Sequence, residues 1–205
     1  MTRDDPLILG FDTSQAACRV ALIRGKDVLA QSSEEMSKGQ AERLLPLCEE
    51  VLHGAGFTPK DLAAVGVGIG PGNFTGIRIS VSAARGLALG LAIPAIGVSA
   101  FEALQYGQTD ACACAVDARR DHVYIQHFDA AGSATAPGLA SATTLPTVTG
   151  PVIGYQGAGP LHPTAVAICH ITAMCYKASH PRPAPLYLRP ADAAPARDAP
   201  PTILT

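Results

Sequence analysis

Three consecutive polar residues, Asp12, Thr13 and Ser14, follow an apolar run near the beginning of the chain. A second apolar run begins at Cys18, so the pattern predicts a turn between two strands. A carboxylate and two hydroxyls at such a turn could hold a phosphate group and a water molecule of its magnesium ion. The same side chains could equally cap their own backbone. On the sequence alone, both uses of the turn stay open.

A glycine-rich segment, GVGIGPGNFTG, runs from residue 66 to residue 76 and precedes a predicted helix. Backbone N–H groups in front of a helix suit an anion, which makes Gly70 and Gly72 candidate phosphate-binding residues. The segment is not a Walker loop, because no Lys-Ser or Lys-Thr pair follows it. In the alternative interpretation, residues 70–72 make a tight turn and Asn73 or Thr75 caps the helix.

The histidines show no metal-binding pattern. No HxxxH or HExxH motif occurs among the six. His122 and His127 are five residues apart in a predicted strand, so they lie on opposite faces of it. We expect the remaining late histidines, His162, His170 and His180, at the surface.

The six cysteines also lack paired CxxC spacing and lie mostly within apolar segments. We therefore expect reduced thiols in the protein core. Cys112 and Cys114 would share one face of a strand, but two thiols are an incomplete metal site. The sequence predicts no metal and no cofactor, and it lacks a hydrolase-like pairing of nucleophile and base.

Composition is that of a globular protein. The chain has 205 residues, of which 48% are apolar and 16% charged, enough for one large or two small domains. A net charge of −2 makes the chain alone a poor nucleic-acid binder. The first apolar run is preceded by acidic residues and is too short for a signal peptide or membrane span, so we expect a cytoplasmic protein without membrane contact.

Hydrophobic spacing predicts three strands, a helix and then alternating strands and helices, after which strands begin again. The predicted strands are Leu7 to Phe11, Cys18 to Ile23, Val28 to Ser32, Ala63 to Ile69, Pro94 to Val98, Ala111 to Asp117, His122 to Phe128 and Val152 to Tyr155. The predicted helices are Gln40 to His53, Phe74 to Gly90, Ser99 to Tyr106 and Pro163 to Tyr176. From Pro181 to Thr205 the proline-rich chain is expected to be extended.

This element order resembles the duplicated, ribonuclease H-like α/β fold of actin, sugar kinases and heat-shock chaperones, with a reduced second half. It suggests a domain at residues 1–106 and a smaller one at residues 107–205. The order of elements alone carries this resemblance.

The helix from Phe74 to Gly90 carries charge only at Arg78 and Arg85. A helix with one solvent-facing side normally shows a broad polar face, so both sides should be covered. Small residues recur every four positions and would let another backbone approach closely. These residues are Gly76, Ser80, Ala84 and Ala88. A subunit contact and a central helix buried within one domain both fit this pattern.

Several segments together resemble the TsaB family, the non-catalytic subunits of the bacterial tRNA threonylcarbamoyladenosine machinery. They are FDTS at residue 11, AERLLPL at 41, GVGIGPGNFTGIRISVSAARGLALGL at 66, IPAIGVSAFEAL at 93, DARRDHVY at 117 and PLYLRPADAAP at 185. The resemblance implies a heterodimer with a TsaD-like catalytic subunit, joined by a TsaE-like ATPase. It also implies that the chain meets tRNA only through this complex, which threonylcarbamoylates N6 of the adenosine 3′ of the anticodon.

The resemblance further implies a pseudoenzyme. Where the catalytic paralogue carries its HxxxH metal motif, this chain has Ala100 and Leu104, which cannot bind a metal. An alternative is an actin-like ATPase or small-molecule kinase that uses the turn at residues 12–14. A glycoprotease-like metallopeptidase is a further alternative, but it requires ligands that the sequence does not supply.

In the TsaB family the dimer forms through two helices of the N-terminal domain. Carried over by position, the candidate contact residues are Leu44, Leu45, Cys48, Gly76, Ile77, Ser80, Val81, Ala84, Arg85 and Ala88. The same surface could form a homodimer when the partner is absent. On this placement, Ala84→Glu should disrupt dimerisation far more than folding.

Overall fold

Two β-sheets, each built outward from a hairpin, form the framework of the protein. The computed structural model describes residues 5–143 and 150–189. In chain order the elements are β1 (Leu7–Asp12), β2 (Ala17–Arg24), β3 (Asp27–Glu35), α1 (Gln40–Gly54), β4 (Ala64–Gly68), α2 (Phe74–Leu91), β5 (Ala95–Val98), α3 (Ala100–Gln105), β6 (Cys112–Asp117), β7 (His122–Phe128), β8 (Gly138–Ser141), β9 (Val152–Gly154) and α4 (Thr164–Cys175).

The first sheet has the strand order β3-β2-β1-β4-β5. Strands β1, β2 and β3 form an antiparallel meander, whereas β4 pairs in parallel with both β1 and β5. Every residue of β1 is buried. Leu9 belongs to a core with Leu47 of α1, while Ile8 belongs to a core with Val166 of α4. Because alternate strand residues face opposite sides, helices covering both faces explain the continuous apolar run.

The second sheet repeats this plan with fewer elements. Its order is β8-β7-β6-β9, with an antiparallel meander followed by a parallel pairing of β6 with β9. Among the described residues it has no fifth strand, and no helix separates β8 from β9 as α1 separates β3 from β4. The prediction of a duplicated α/β fold with a reduced second half is therefore confirmed.

Helix α4 returns from the second half to cover the first sheet. The thiol of Cys169 lies 3.3 Å from the carbonyl oxygen of Ala21 and 3.7 Å from that of Ile8. A side chain at Gly10 would collide with Cys169, so glycine allows this close approach. The suggested division at residues 106 and 107 separates the two sheets, but α4 shares the core of the first one.

Most predicted elements are present with small shifts at their ends. The sequence prediction missed β8 and a short 3₁₀ turn at Pro59–Asp61. No helix or strand occurs over residues 181–189, while residues 190–205 of the predicted extended tail lie outside the described residues. In the described parts of the chain, no helix combines the length and apolarity needed to cross a bilayer.

Helix α2 packs three of its small residues against its own domain. Gly76 faces the backbone of the turn after β1, and the hydroxyl of Ser80 donates to the carbonyl oxygen of Gly68 at 3.0 Å. Ala84 is fully buried in the core that includes α1 and β1. The close backbone that the small-residue spacing predicts is therefore provided by β4 and the turn after β1.

Candidate functional site

The turn at residues 12–14 ends β1 and is buried. Asp12 and Ser14 are each 2% exposed, and Thr13 is fully buried. One carboxylate oxygen of Asp12 accepts the backbone N–H of Ser14 at 3.2 Å, and the other accepts the Ser14 hydroxyl at 3.1 Å. Thr13 donates its hydroxyl to the carbonyl oxygen of Gly76 at 2.6 Å. The polar side chains of the turn therefore bind the chain itself.

The glycine-rich segment lies directly against this turn. The backbone N–H of Asn73 donates to the carbonyl oxygen of Ser14 at 2.6 Å. A side chain at Gly72 would collide with that same carbonyl oxygen. The carbonyl oxygen of Gly70 accepts the N–H of Ala100 at 2.8 Å, at the start of α3. Structure thus brings the two predicted phosphate-binding segments together, as a packed pair of turns.

The N-terminus of α2 is capped from within the chain. The side-chain oxygen of Asn73 accepts the N–H groups of Thr75 and Gly76, both at 3.0 Å. These groups are the donors that a bound phosphate would need. The hydrogen bonds support the capping interpretation of Asn73 over an anion cradle.

Burial raises the pKa of the Asp12 carboxyl above its ordinary value of 3.8. The two hydrogen bonds from Ser14 and the positive charge of Arg19 oppose this shift, but they are smaller effects. Arg19 lies 3.9 Å from the carboxylate, a distance longer than that of a direct hydrogen bond. Desolvation therefore dominates the electrostatics of this turn.

A small cavity of about 220 Å³ lies between the two halves of the fold. Its lining includes Asp12, Ala100, Leu104, Asp117 and Tyr155. Ala100 and Leu104 thus occupy the wall of the interlobe cavity, where they offer only aliphatic groups. Within residues 5–143 and 150–189, no three histidine, cysteine or acidic side chains are grouped as metal ligands would be.

The cysteines are core residues, as the sequence predicts. All six lie in the described ranges, all are free thiols, and only Cys175 is more than slightly exposed. Burial raises the pKa of the thiols of Cys48, Cys114 and Cys169, which keeps them protonated. These thiols are packing groups.

The prediction that His162 and His170 lie at the surface is wrong. Both are partly buried beside the ring of Tyr106, whose centroid lies 5.1 Å from that of His162 and 5.6 Å from that of His170. Burial, assisted by the charge of His162, lowers the pKa of His170 below its ordinary value of 6.5. His170 belongs to α4, which packs against α3, and this packing could not be read from local spacing. His180 is exposed, as expected.

Most of the predicted contact set is buried within the chain. This is true of Leu44, Cys48, Gly76, Ile77, Ser80, Val81 and Ala84. In the isolated chain these residues pack in the domain's own core and offer little surface to a partner. Ala84 is 0% exposed, so a glutamate at this position would also disturb the folded chain.

The remaining members lie at the surface. Leu45 is 43% exposed, Arg85 is exposed and Ala88 is partly buried. The sequence prediction omitted Leu89, which is 83% exposed near the end of α2. Hydrophobic spacing does not identify Leu89, because this residue lies outside the stripe of small residues. It follows Arg85 by four positions and lies with it on the outer face of α2.

Sequence reasoning also missed a cleft of about 610 Å³ beside the start of α2. Three separate segments line it: the beginning of α2, the turn between β6 and β7, and residues 186–189. Its charged side chains are Arg78, Arg119, Arg120 and Arg189, and its rings are Phe74, Tyr124 and Tyr187. The signal in the sequence was the recurrence of arginine close to an aromatic residue in three distant segments.

The sequence also did not indicate the structural role of Gln40. Its side-chain amide is buried and donates to the carbonyl oxygens of Gln15 at 2.7 Å and Ala17 at 3.1 Å. It therefore ties the start of α1 to the segment that follows Ser14. A glutamine at a helix start carries no distinctive sequence signal for such a role.

Comparison with known proteins shows the family to which the chain belongs. A family model described as TsaD, tRNA N6-adenosine threonylcarbamoyltransferase, matches residues 28–151, more than half of the chain. The TsaB protein of Escherichia coli is 38% identical over 122 residues, which cover 57% of this chain and 52% of that protein. The chain belongs to the TsaB family. It spans about half the length of the curated TsaB relatives it matches first.

Similarities to two other proteins extend further along the chain. An uncharacterized protein of Mycobacterium tuberculosis is 33% identical over 207 residues, covering 92% of this chain and 94% of that protein. The solved structure of YeaZ from Pseudomonas aeruginosa is 25% identical, with a TM-score of 0.72 over 89% of this chain and 100% of that chain. Both halves of the fold thus have counterparts in these relatives.

Proposed function

We propose that the chain is a non-catalytic subunit of the machinery that threonylcarbamoylates tRNA. In this proposal it forms a heterodimer with a TsaD-like catalytic subunit, and a TsaE-like ATPase joins the pair. The curated relatives at 36–38% identity carry TsaB names that refer to tRNA threonylcarbamoyladenosine biosynthesis. A cytoplasmic protein that reaches tRNA through this complex fits that role.

The observation that carries the non-catalytic part is the lining of the interlobe cavity. The family resemblance matches Ala100 and Leu104 with the metal ligands of the catalytic paralogue, and both line the cavity beside Asp12. Neither side chain can bind a metal. A metallopeptidase role is not supported by this cavity.

The turn at residues 12–14 gives no support to the ATPase or kinase alternative. Both oxygens of Asp12 already accept hydrogen bonds from Ser14, and Asn73 occupies the N–H groups of α2. Calorimetric titration with MgATP should show no difference in binding between the wild-type chain and Asp12→Asn. Binding that depends on the Asp12 carboxylate would restore the alternative.

For the partner contact we propose the outer faces of α1 and α2. Arg85 and Leu89 are four residues apart and both are exposed, so they project from the same face of α2. Leu45 adds an exposed apolar side chain on α1, which packs against α2. Large apolar residues and arginine are the side chains that dominate stable interfaces. The same face would serve a homodimer when the catalytic partner is absent.

Co-purification tests this contact. A tagged TsaD-like subunit from the same organism should retain the wild-type chain but not Leu89→Glu. Lys60→Glu is the control, because Lys60 is exposed in the turn before β4 and lies outside both helices. Equal retention of all three proteins would contradict the proposed face.

A further inference from the structure

The cleft beside α2 concentrates positive charge. Its lining includes four arginines and no aspartate or glutamate, although the whole chain has a net charge of −2. Among the described residues, no carboxylate lies within 4.0 Å of a guanidinium nitrogen of Arg78, Arg119 or Arg189. Asp117, two residues before Arg119, accepts the backbone N–H of Arg119 at 2.7 Å and forms no ion pair with the Arg119 guanidinium. Within the described ranges, Arg78, Arg119 and Arg189 thus line the cleft without a carboxylate that neutralises them.

Aromatic rings accompany these cations. The Tyr187 ring lies 4.4 Å from that of Phe74, and the Arg78 guanidinium lies 3.8 Å above the Phe74 ring. The two rings are tilted by 31° to each other, and Tyr187 remains 41% exposed. An exposed tyrosine ring held beside a second ring is a platform on which a planar base can lie.

The segments that carry these groups are held in place. The N–H of Leu186 donates to the carbonyl oxygen of Ile69 at 2.8 Å, which anchors residues 186–189 beside α2. Arg189 donates to the carbonyl oxygen of Ala118 at 3.2 Å and so links this segment to the β6–β7 turn. In that turn Arg119 and Arg120 have left-handed φ angles of 59° and 50°. The arginines and rings are therefore arranged before any ligand arrives.

We propose that this cleft binds single-stranded RNA, with phosphates on the arginines and a base on the ring of Tyr187. A positively charged open groove with stacking rings is how proteins hold single strands. A free nucleotide would place its phosphates on backbone N–H groups at the start of α2, but those of Asn73, Thr75 and Gly76 already donate within the chain. The choice of RNA over another polyanion rests on the proposed role in tRNA modification.

Fluorescence anisotropy of a labelled anticodon stem-loop RNA, titrated with the full chain at low salt, tests the proposal. Three phosphate contacts should give a slope of about −2 in log K against log salt, so affinity should fall roughly 20-fold from 50 to 200 mM. Arg119→Glu should weaken binding by about 10-fold and make the slope less steep by roughly 0.7. Tyr187→Ala should weaken binding by about 5-fold or more.

Lys60→Glu is the matched control, because it changes the charge by the same amount as Arg119→Glu. Lys60 lies before β4, whereas the cleft lies beyond the other end of that strand. It should bind RNA within about twofold of wild type, apart from long-range charge effects that salt screens. No RNA binding by the wild type, or equal binding by all variants, would overturn the proposal. Full displacement of the RNA by MgADP would assign the cleft to a free nucleotide instead. Retention by the TsaD-like subunit is measured in parallel, because Arg119→Glu should lose RNA and keep the partner.

Discussion

The carboxylate of Asp12 lies inside the protein, with Ser14 on both oxygens and Arg19 at 3.9 Å. Since burial raises its pKa, the folded state holds this proton more tightly than the unfolded chain. The stability that this proton contributes is present below the unfolded value of 3.8 and is lost as pH rises through the folded pKa. Burial of the Asp12 carboxyl therefore makes the protein less stable as pH rises from 3.8 towards the folded pKa.

We predict that Asp12→Asn stabilises the isolated chain at pH 7. The amide can keep hydrogen bonds with Ser14 while removing the buried charge. The melting temperature of the variant should match wild type near pH 3 and exceed it increasingly as pH rises above that value. A gain of 1 kcal/mol would correspond to about 2–4 °C. A variant less stable than wild type at pH 7 would mean that Ser14 and Arg19 outweigh desolvation.

Two glycines of α2 provide a second comparison. A Cβ at Gly76 would collide with the backbone carbonyl oxygen of Thr13, whereas a Cβ at Gly86 would meet nothing within 4 Å. Gly76→Ala should therefore destabilise the chain, and Gly86→Ala should stabilise it by up to about 1 kcal/mol through helix propensity. Chemical denaturation of the two variants measures both changes. Equal changes in stability for the two variants would show that the nearby Thr13 backbone does not exclude a side chain at residue 76.

At residue scale, the sequence located Asp12, Thr13 and Ser14 in the correct turn, and it offered Asn73 as a cap. It could not decide between phosphate binding and self-capping, because that depends on which groups are satisfied by distant residues. Thr13 binds Gly76, 63 positions away. Such long-range pairing has no local signature.

Helix α2 shows the same limit at the scale of an element. Its start, length and small-residue stripe follow from the sequence, and its end lies one residue beyond the prediction. The spacing alone left a subunit contact and a buried central helix both open, and the structure packs Ser80 and Ala84 within the domain. Spacing shows that a backbone approaches closely, and it does not show whether that backbone belongs to the same chain.

A glutamate on the buried face of α2 should therefore change the folding free energy far more than a glutamate on the exposed face. Ala84→Glu places a charge at a fully buried position and should cost about 3–5 kcal/mol of folding free energy. Leu89→Glu changes a side chain that is 83% exposed and should alter stability by no more than about 0.5 kcal/mol. Thermal unfolding measures both variants. A stable Ala84→Glu chain that fails to bind the partner would contradict this assignment of faces.

At the scale of the whole molecule, the element order correctly predicted a duplicated fold with a reduced second half. Helical spacing also predicted α4, but could not show that it covers the first sheet. That arrangement depends on contacts such as Cys169 with Ala21, which are 148 residues apart. The arginine-lined cleft was missed for the same reason, because three distant segments meet there only after folding.

The position of α4 gives a prediction about truncation. A chain that ends at residue 106 would expose the face of the first sheet on which α4 lies, including Ile8 and Ala64. We expect this fragment to aggregate or remain unfolded, since exposed apolar sheet surface favours association. Circular dichroism and size-exclusion chromatography measure the outcome. A monomeric fragment with a cooperative unfolding transition would show that residues 1–106 form an independent domain.

We propose that this chain supports catalysis by another subunit and has no catalytic centre of its own. Formation of threonylcarbamoyladenosine on tRNA by the TsaD-like and TsaE-like proteins of the same organism, with and without this chain, tests it most directly. We predict that modification requires the chain, that Leu89→Glu fails to support it, and that Asp12→Asn supports it fully. Equal modification when the chain is omitted would contradict the account.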